Sequence, residues 1–96
     1  MKFLHLTYHF EFTAAIEKIL DKHGVKNFSR YPMMEGKDID GKHFGTQVFP
    51  GNNSVVQAEI ADEKVEPLLE ELRTWRDAKK VHNHIRAIIL LVEETL

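Results

Sequence analysis

The sequence predicts an α+β fold of the βαββαβ plan, a four-stranded antiparallel sheet with two helices on one face. Three observations lead there. Residues 2–9 and 54–60 alternate apolar and polar side chains at the period of a half-buried strand. Residues 11–23 and 62–80 place apolar side chains at helical spacing. Glycines gather between these stretches, at Gly24 and at Gly36, Gly41 and Gly45.

The elements follow in order. In 2–9, Leu4, Leu6 and Tyr8 share one face, and Phe3, His5, Thr7 and His9 share the other. Phe12, Ala15, Ile16, Ile19 and Leu20 form the stripe of a first helix over 11–23. Lys22 and His23 suit the negative end of that helix, and Gly24 suits its stop, because glycine adopts positive φ at little cost. Val25 to about Met34 reads as a second strand, which Pro32 either weakens or puts at an edge. Residues 35–45 read as a loop, Thr46 to Phe49 as a short extended piece, and Ser54 to Ile60 as the third strand. Asp62 is the expected N-cap of a second helix with Val65, Leu68, Leu69, Leu72 and either Trp75 or Arg76 on its stripe. Pro67 predicts an irregular start, and Lys79-Lys80 marks the end. A last strand over 85–93 closes the ferredoxin-like, or split βαβ, arrangement.

That last strand is apolar on both faces: Ile88, Leu90 and Val92 on one, Ala87, Ile89 and Leu91 on the other. A sheet with one face in water should alternate instead. The second face is therefore expected to be covered, and the simplest cover is another copy of the chain; a central place in the sheet is the other common cause of such a two-faced strand. The length of 96 residues fits one domain over 1–96, since domains commonly run to ~100–150 residues. A domain this small gains stability by oligomerising.

Composition excludes several classes. The chain has no cysteine, hence no disulfide and no thiolate metal site. A net charge of −2 and a pI near 6.3 argue against nucleic-acid binding. The longest apolar run, Ala87 to Val92, falls far short of the ~20 residues that span a bilayer. Residues 1–9 carry two histidines and no small-residue cleavage site, so they read as a strand and not a signal peptide, and the expected location is cytoplasmic. No nucleophile elbow, P-loop or HExxH spacing appears. Asp38-Ile39-Asp40-Gly41 lacks the carboxylates a calcium loop needs at its first and last positions.

A set of short motifs spans nearly the whole chain. They are Ser29-Arg30-Tyr31, Glu35-Gly36, His43-Phe44-Gly45-Thr46, Phe49-Pro50-Gly51-Asn52, Asp62-Glu63-Lys64 and Val92-Glu93-Glu94. In this the sequence resembles the short members of the PII-like superfamily of trimeric regulators, which are related to CutA-type trimers. The resemblance implies a homotrimeric, metal- or small-ligand-responsive signalling protein and not an enzyme. It also implies a link to heavy-metal export, with a membrane transporter or other protein partner met through 35–45. Tyr31, Glu35, His43, Gly45, Thr46 and Phe49 are the positions it marks for ligand binding. The segment Asp77 to His84 has none of the glycines of the classical PII phosphate-binding turn, which speaks against ATP.

Six histidines in a cysteine-free chain suit Zn, Cu or Ni. His43 lies in the motif that carries the resemblance. His5 and His9 share the face away from the helices, where a trimer repeats them three times. His82 and His84 lie on one side if their segment is extended. Two other readings fit the same fold: a small enzyme with His5 or His9 as its acid–base group, and an ACT-like ligand-binding or structural oligomer.

Overall fold

The computed structural model describes residues 1–34 and 53–96, together with the backbone of 36–38 and 41–43. The elements are β1 (Lys2–His9), α1 (Thr13–Lys22), β2 (Ser29–Met34), β3 (Gly36–Asp38), β4 (Gly41–His43), β5 (Asn53–Ile60), α2 (Asp62–Ala78) and β6 (Arg86–Leu91). The main sheet has the order β2-β5-β1-β6, and each adjacent pair is antiparallel. This is the predicted ferredoxin-like α+β arrangement.

The alternation in β1 decides which way the sheet faces. Leu4, Leu6 and Tyr8 are fully buried, and Val56, Ala58 and Ile60 of β5 join them. Ile16, Ile19 and Leu20 of α1 and Leu68 and Leu72 of α2 belong to the same cluster, so both helices cover one side of the sheet. Burying one such leucine stabilises by roughly 1.5–3 kcal/mol relative to exposure.

Several element boundaries differ from expectation. The first helical segment opens with a 3₁₀ turn, Phe10–Phe12, before α1 begins. The His9 ring accepts from the Glu11 N–H at 3.3 Å, and the Thr13 hydroxyl donates to the Phe10 carbonyl at 2.6 Å. These local bonds compete with the α-helical ladder over its first turn. The second strand starts at Ser29, not Val25. Val25 is buried, and its N–H closes the end of α1 on the Leu20 carbonyl at 2.8 Å.

β2 is an edge strand, one of the two outcomes expected from Pro32, and its register slips between Tyr31 and Met34. The Ser54 hydroxyl donates to the Pro32 carbonyl at 2.7 Å across that irregularity. Where a loop was expected, β3 and β4 form a two-stranded ribbon pairing Gly36 with His43 and Asp38 with Gly41. The short Gly-bounded arms allow backbone pairing that a composition rule for loops overlooks.

The N-cap of α2 is Ala61, and Asp62 is the first helical residue. Asp62 and Glu63 therefore act through the helix dipole and not as a side-chain cap. Pro67 lies inside α2 without ending it. It removes one backbone donor, and the burial of Leu68 and Leu72 just after it holds the helix to the sheet. β6 is shorter than predicted and forms the other edge of the sheet. Its Leu91 shares the side of Ile89 but is 73% exposed, at the end of the strand.

Two local features lead to expected results. Gly24 has φ +77° and ends α1 in the left-handed region. A Cβ there would also lie 2.7 Å from the Lys64 Nζ, a flexible end that can move away. Gly24→Ala is therefore expected to cost about 1–2 kcal/mol, nearly all of it backbone strain. The measurement is the melting temperature, which should fall by roughly 4–8 °C per kcal/mol; no fall would show that the strain is relieved elsewhere.

The second feature joins the two helices. Glu71 Oε1 accepts from His23 Nε2 at 2.8 Å and pairs with Lys22 Nζ at 3.0 Å. The His23 hydrogen bond first, and Lys22 second, hold the Glu71 carboxyl below its ordinary range. A depressed folded value means that the stabilisation is present above the unfolded carboxylate range and is lost as pH falls through the folded one. Glu71→Gln is expected to destabilise by about 0.5–1 kcal/mol at neutral pH. In chemical denaturation that difference should vanish in acid; a constant difference would show that it is not electrostatic.

Candidate functional site

The side of the sheet away from the helices has no described element over it. β1 presents Phe3, His5 and Thr7 there. By register these stand beside Glu59, Gln57 and Val55 of β5, and beside Leu90, Ile88 and Arg86 of β6. Tyr31 of β2 stands beyond Val55. Val55 is buried even on this open face, whereas Leu90 is 52% exposed, so the apolar cover is uneven. The face combines a hydrophobic band along β6 with a polar centre at His5 and Gln57.

A shallow, solvent-open hollow of about 650 Å³ lies at one corner of this face. Phe3 and Phe28 supply apolar walls, and Lys26, Asn27, Ser29, Gln57 and Glu59 supply polar groups. A second cavity of about 260 Å³ shares Lys26, Asn27 and Glu59 and extends to Gly24 and Lys64 beside the start of α2. The pair offers aromatic surface, two lysines and several hydrogen-bonding side chains around shared walls. Sequence reasoning missed this corner because residues 25–28 were read as part of a strand. The available signal was the run Lys26-Asn27-Phe28-Ser29 shortly after a glycine helix stop.

The sequence-predicted residues are dispersed. Tyr31 lies on the edge strand and is 45% exposed. Glu35, Gly45, Thr46 and Phe49 lie outside the described residues. The His43 backbone pairs with Gly36, and its side chain lies outside the described part of the chain.

Each described histidine has its own setting. His5 meets the Gln57 side-chain amide at 3.3 Å. The His9 Nδ1 accepts from the Glu11 backbone, and its ring stands 4.9 Å from that of Phe10. His23 is held by Glu71. His82 is buried, stacks on Trp75 at 3.6 Å with the rings 5° apart, and its Nδ1 donates to the Trp75 carbonyl at 2.5 Å. Phe12 meets both rings edge-on. That hydrogen bond satisfies a carbonyl left without a helical partner where Lys79 turns extended.

The extended conformation expected for 82–84 does not occur. Lys80–His82 is a 3₁₀ turn, so the strand argument for two rings on one side fails. His9, His82 and His84 do line one small recess with Trp75 and Phe12, but it has no interior room. Among the described residues, no group of three or more His, Asp or Glu side chains within the chain is placed to hold a metal ion. No described helix is long and apolar enough to cross a membrane.

Comparison with solved structures identifies the fold. The chain superposes on CPII, a nitrogen regulatory PII-like protein from Thiomonas intermedia K12 bound to ADP, AMP and bicarbonate. The TM-score is 0.73 at 21% identity, covering 93% of this chain and 88% of that one. The apo form of CPII gives 0.68 at 21% identity, over 95% and 89%. A PII-like signaling protein from Thermus thermophilus gives 0.67 at 10% identity, over 92% and 82%. No protein-family model matches the sequence, and no curated protein matches it. At these identities the likeness is one of fold: the chain has the fold of the PII-like regulatory and signalling proteins.

Proposed function

We propose that this PII-like fold serves as a homotrimeric regulator and not as an enzyme. The chain is read as one domain over 1–96 that buries its open sheet face against two further copies. It binds a small ligand in the corner cavity and passes that state to a partner protein through the segment that carries β3 and β4. The observation that carries the reading is the shallow hollow of about 650 Å³ at the rim of a partly apolar sheet face over which no described element lies. A ligand there would touch the surface that a neighbouring copy covers, so binding and assembly would be coupled.

An adenine nucleotide is the first ligand class to test. Phe3 and Phe28 offer stacking surface, Lys26 and Lys64 offer charge for phosphate, and CPII is described with ADP, AMP and bicarbonate. The glycine-free segment 77–84 favours a nucleotide held without the classical phosphate turn, which fits ADP or AMP better than ATP. A transition metal at His43, with a heavy-metal transporter as the partner, is the second ligand reading; it rests on the sequence motif. The cytoplasm is the proposed location.

Light scattering after size exclusion should give three times the chain mass of 11.2 kDa. Calorimetry should show ADP or AMP binding, weakened at least about tenfold (about 1.4 kcal/mol) by Lys26→Ala or Phe28→Ala. A monomer at micromolar concentration overturns the assembly. Silence towards ADP, AMP, bicarbonate, Zn, Cu and Ni overturns the ligand-sensing role. Metal binding unchanged in His43→Ala removes His43 from the site.

A further inference from the structure

We infer that the cleft between α2 and the free edge of β6 binds a short aliphatic carboxylate. The inference rests neither on the trimer nor on the corner hollow. It concerns the helix-covered side of the sheet, at the edge opposite β2. The cleft holds about 160 Å³ and is lined by Leu69, Leu72, Arg73, Arg76, Ile85 and Ala87. Four of these side chains are aliphatic, two are guanidinium groups, and none is acidic.

The sequence accounts for both the space and the charge. Ile85, Ala87 and Ile89 pack against the helix-covered core, and Ala87 is the small member between two isoleucines. The wall is therefore set back at Ala87. On α2, Arg73 falls four residues after Leu69, and Arg76 falls four after Leu72 and seven after Leu69. Aliphatic side chains would continue the stripe at these positions. Two arginines there put positive charge beside an apolar hollow. Leu72 is buried at its base, and both arginines are partly exposed at its mouth.

Both guanidinium groups keep donors for a ligand. Arg73 holds Glu66 at 3.0 Å and Glu70 at 3.1 Å, in each case through Nη1. Arg76 holds Asp77 through Nε at 2.9 Å and Nη2 at 3.4 Å. A guanidinium carries five N–H donors, so Nε and Nη2 of Arg73 and Nη1 of Arg76 have no partner among the described residues. None of the three carboxylates lines the cleft. These are exposed ion pairs that bind weakly, so an entering carboxylate has no buried pair to break.

The strand edge adds a third donor. The Val92 N–H bonds the Met1 carbonyl, so by alternation Leu90, Ile88 and Arg86 turn their backbone groups towards β1 and Ala87 turns its own outwards. No described strand pairs with that side of β6. A guanidinium fork and a backbone N–H suit a carboxylate, and the aliphatic walls suit its tail. Size sets the class: the cleft has the volume of about five water molecules at ~30 Å³ each, which matches an isobutyl-sized tail and excludes a long acyl chain.

The test is a proton–nitrogen NMR titration of the isotope-labelled full chain with isovalerate. Saturable shifts are expected at the Ile85 and Ala87 amides and at the Arg73 and Arg76 side chains, with half-saturation near about 1 mM, a range set by the small size of the ligand. Isovaleramide, the neutral isostere, should bind at least about tenfold more weakly, because it gives up hydrogen bonds between charged groups. Acetate, shorter by three carbons, should also bind at least about tenfold more weakly, since each buried CH₂ is worth about fourfold. All three are compared on the unmutated protein, so the result does not depend on a variant that folds. Arg76→Gln should weaken isovalerate about tenfold, and Ala87→Leu should abolish its binding by filling the space. Lys80→Gln should leave it unchanged. No saturable shift at these groups, or equal binding of isovalerate, isovaleramide and acetate, overturns the site; so does isovalerate binding that survives Ala87→Leu in full. None of these results bears on the trimer or on nucleotide binding.

Discussion

Ile88→Asp is expected to leave the chain folded but monomeric, undoing the proposed trimer. Ile88 stands opposite His5 on the open face, outside the helix-covered core cluster. Buried in the proposed subunit interface, an aspartate would carry its charge among the apolar side chains of Phe3 and Leu90, with Arg86 the cation on the same face of β6. The desolvation penalty of an unpaired buried charge reaches several kcal/mol, and three-fold symmetry repeats it in every copy. Dissociation relieves that penalty in each chain, which outweighs the apolar burial given up along a strand edge. Light scattering would read the mass, and far-ultraviolet circular dichroism would confirm that the sheet persists. An unchanged mass would place the interface elsewhere and remove the main support for the regulator reading.

Leu6→Ala should act in the opposite way, on the fold before the assembly. Leu6 is fully buried at the centre of β1, facing Val56 on one side and Ala87 on the other. Both neighbouring strands are fixed by backbone pairing, so the space left cannot close easily. The expected cost is about 2–5 kcal/mol, from lost transfer energy and the cavity together. Folded domains hold only ~5–15 kcal/mol in all, so the loss is a large share. Urea denaturation should show a lower midpoint at an unchanged slope. A change under about 1 kcal/mol would mean that the helices collapse onto the gap.

These two positions also show what the sequence reveals and what it hides. Leu4, Leu6 and Tyr8 against Phe3, His5 and Thr7 is a pattern of period two, and one buried face forces it. That made the orientation of the whole sheet readable. Gly24 was readable because a helix stop in the left-handed region favours glycine. The ribbon of β3 and β4 was not, since its pairing is between backbone groups and leaves little trace in residue type. Asp62 misled because a carboxylate serves equally as a cap or as a first-turn residue, and only the backbone angles of Ala61 distinguish them.

The candidate site was less legible. His5 was singled out by its face alone, whereas the importance of Gln57 beside it emerges only with the strand register. Lys26 and Lys64 lie far apart in the chain and meet where the end of α1 approaches the start of α2. No local motif encodes that meeting. His82 looked like half of an even-spaced pair, but its ring is drawn inward to close the end of α2 and cover Trp75.

The position of β6 at the rim of the sheet has a consequence for handling the protein. Ala87 to Val92 is an unbroken aliphatic run without proline or charge, and one side of its backbone has no neighbouring strand among the described residues. Arg86 before it and Glu93 and Glu94 after it act as gatekeepers against strand-to-strand aggregation. Loss of the flanking charges at Arg86 or Glu93 should therefore promote strand-to-strand association along this rim, the more so at high protein concentration.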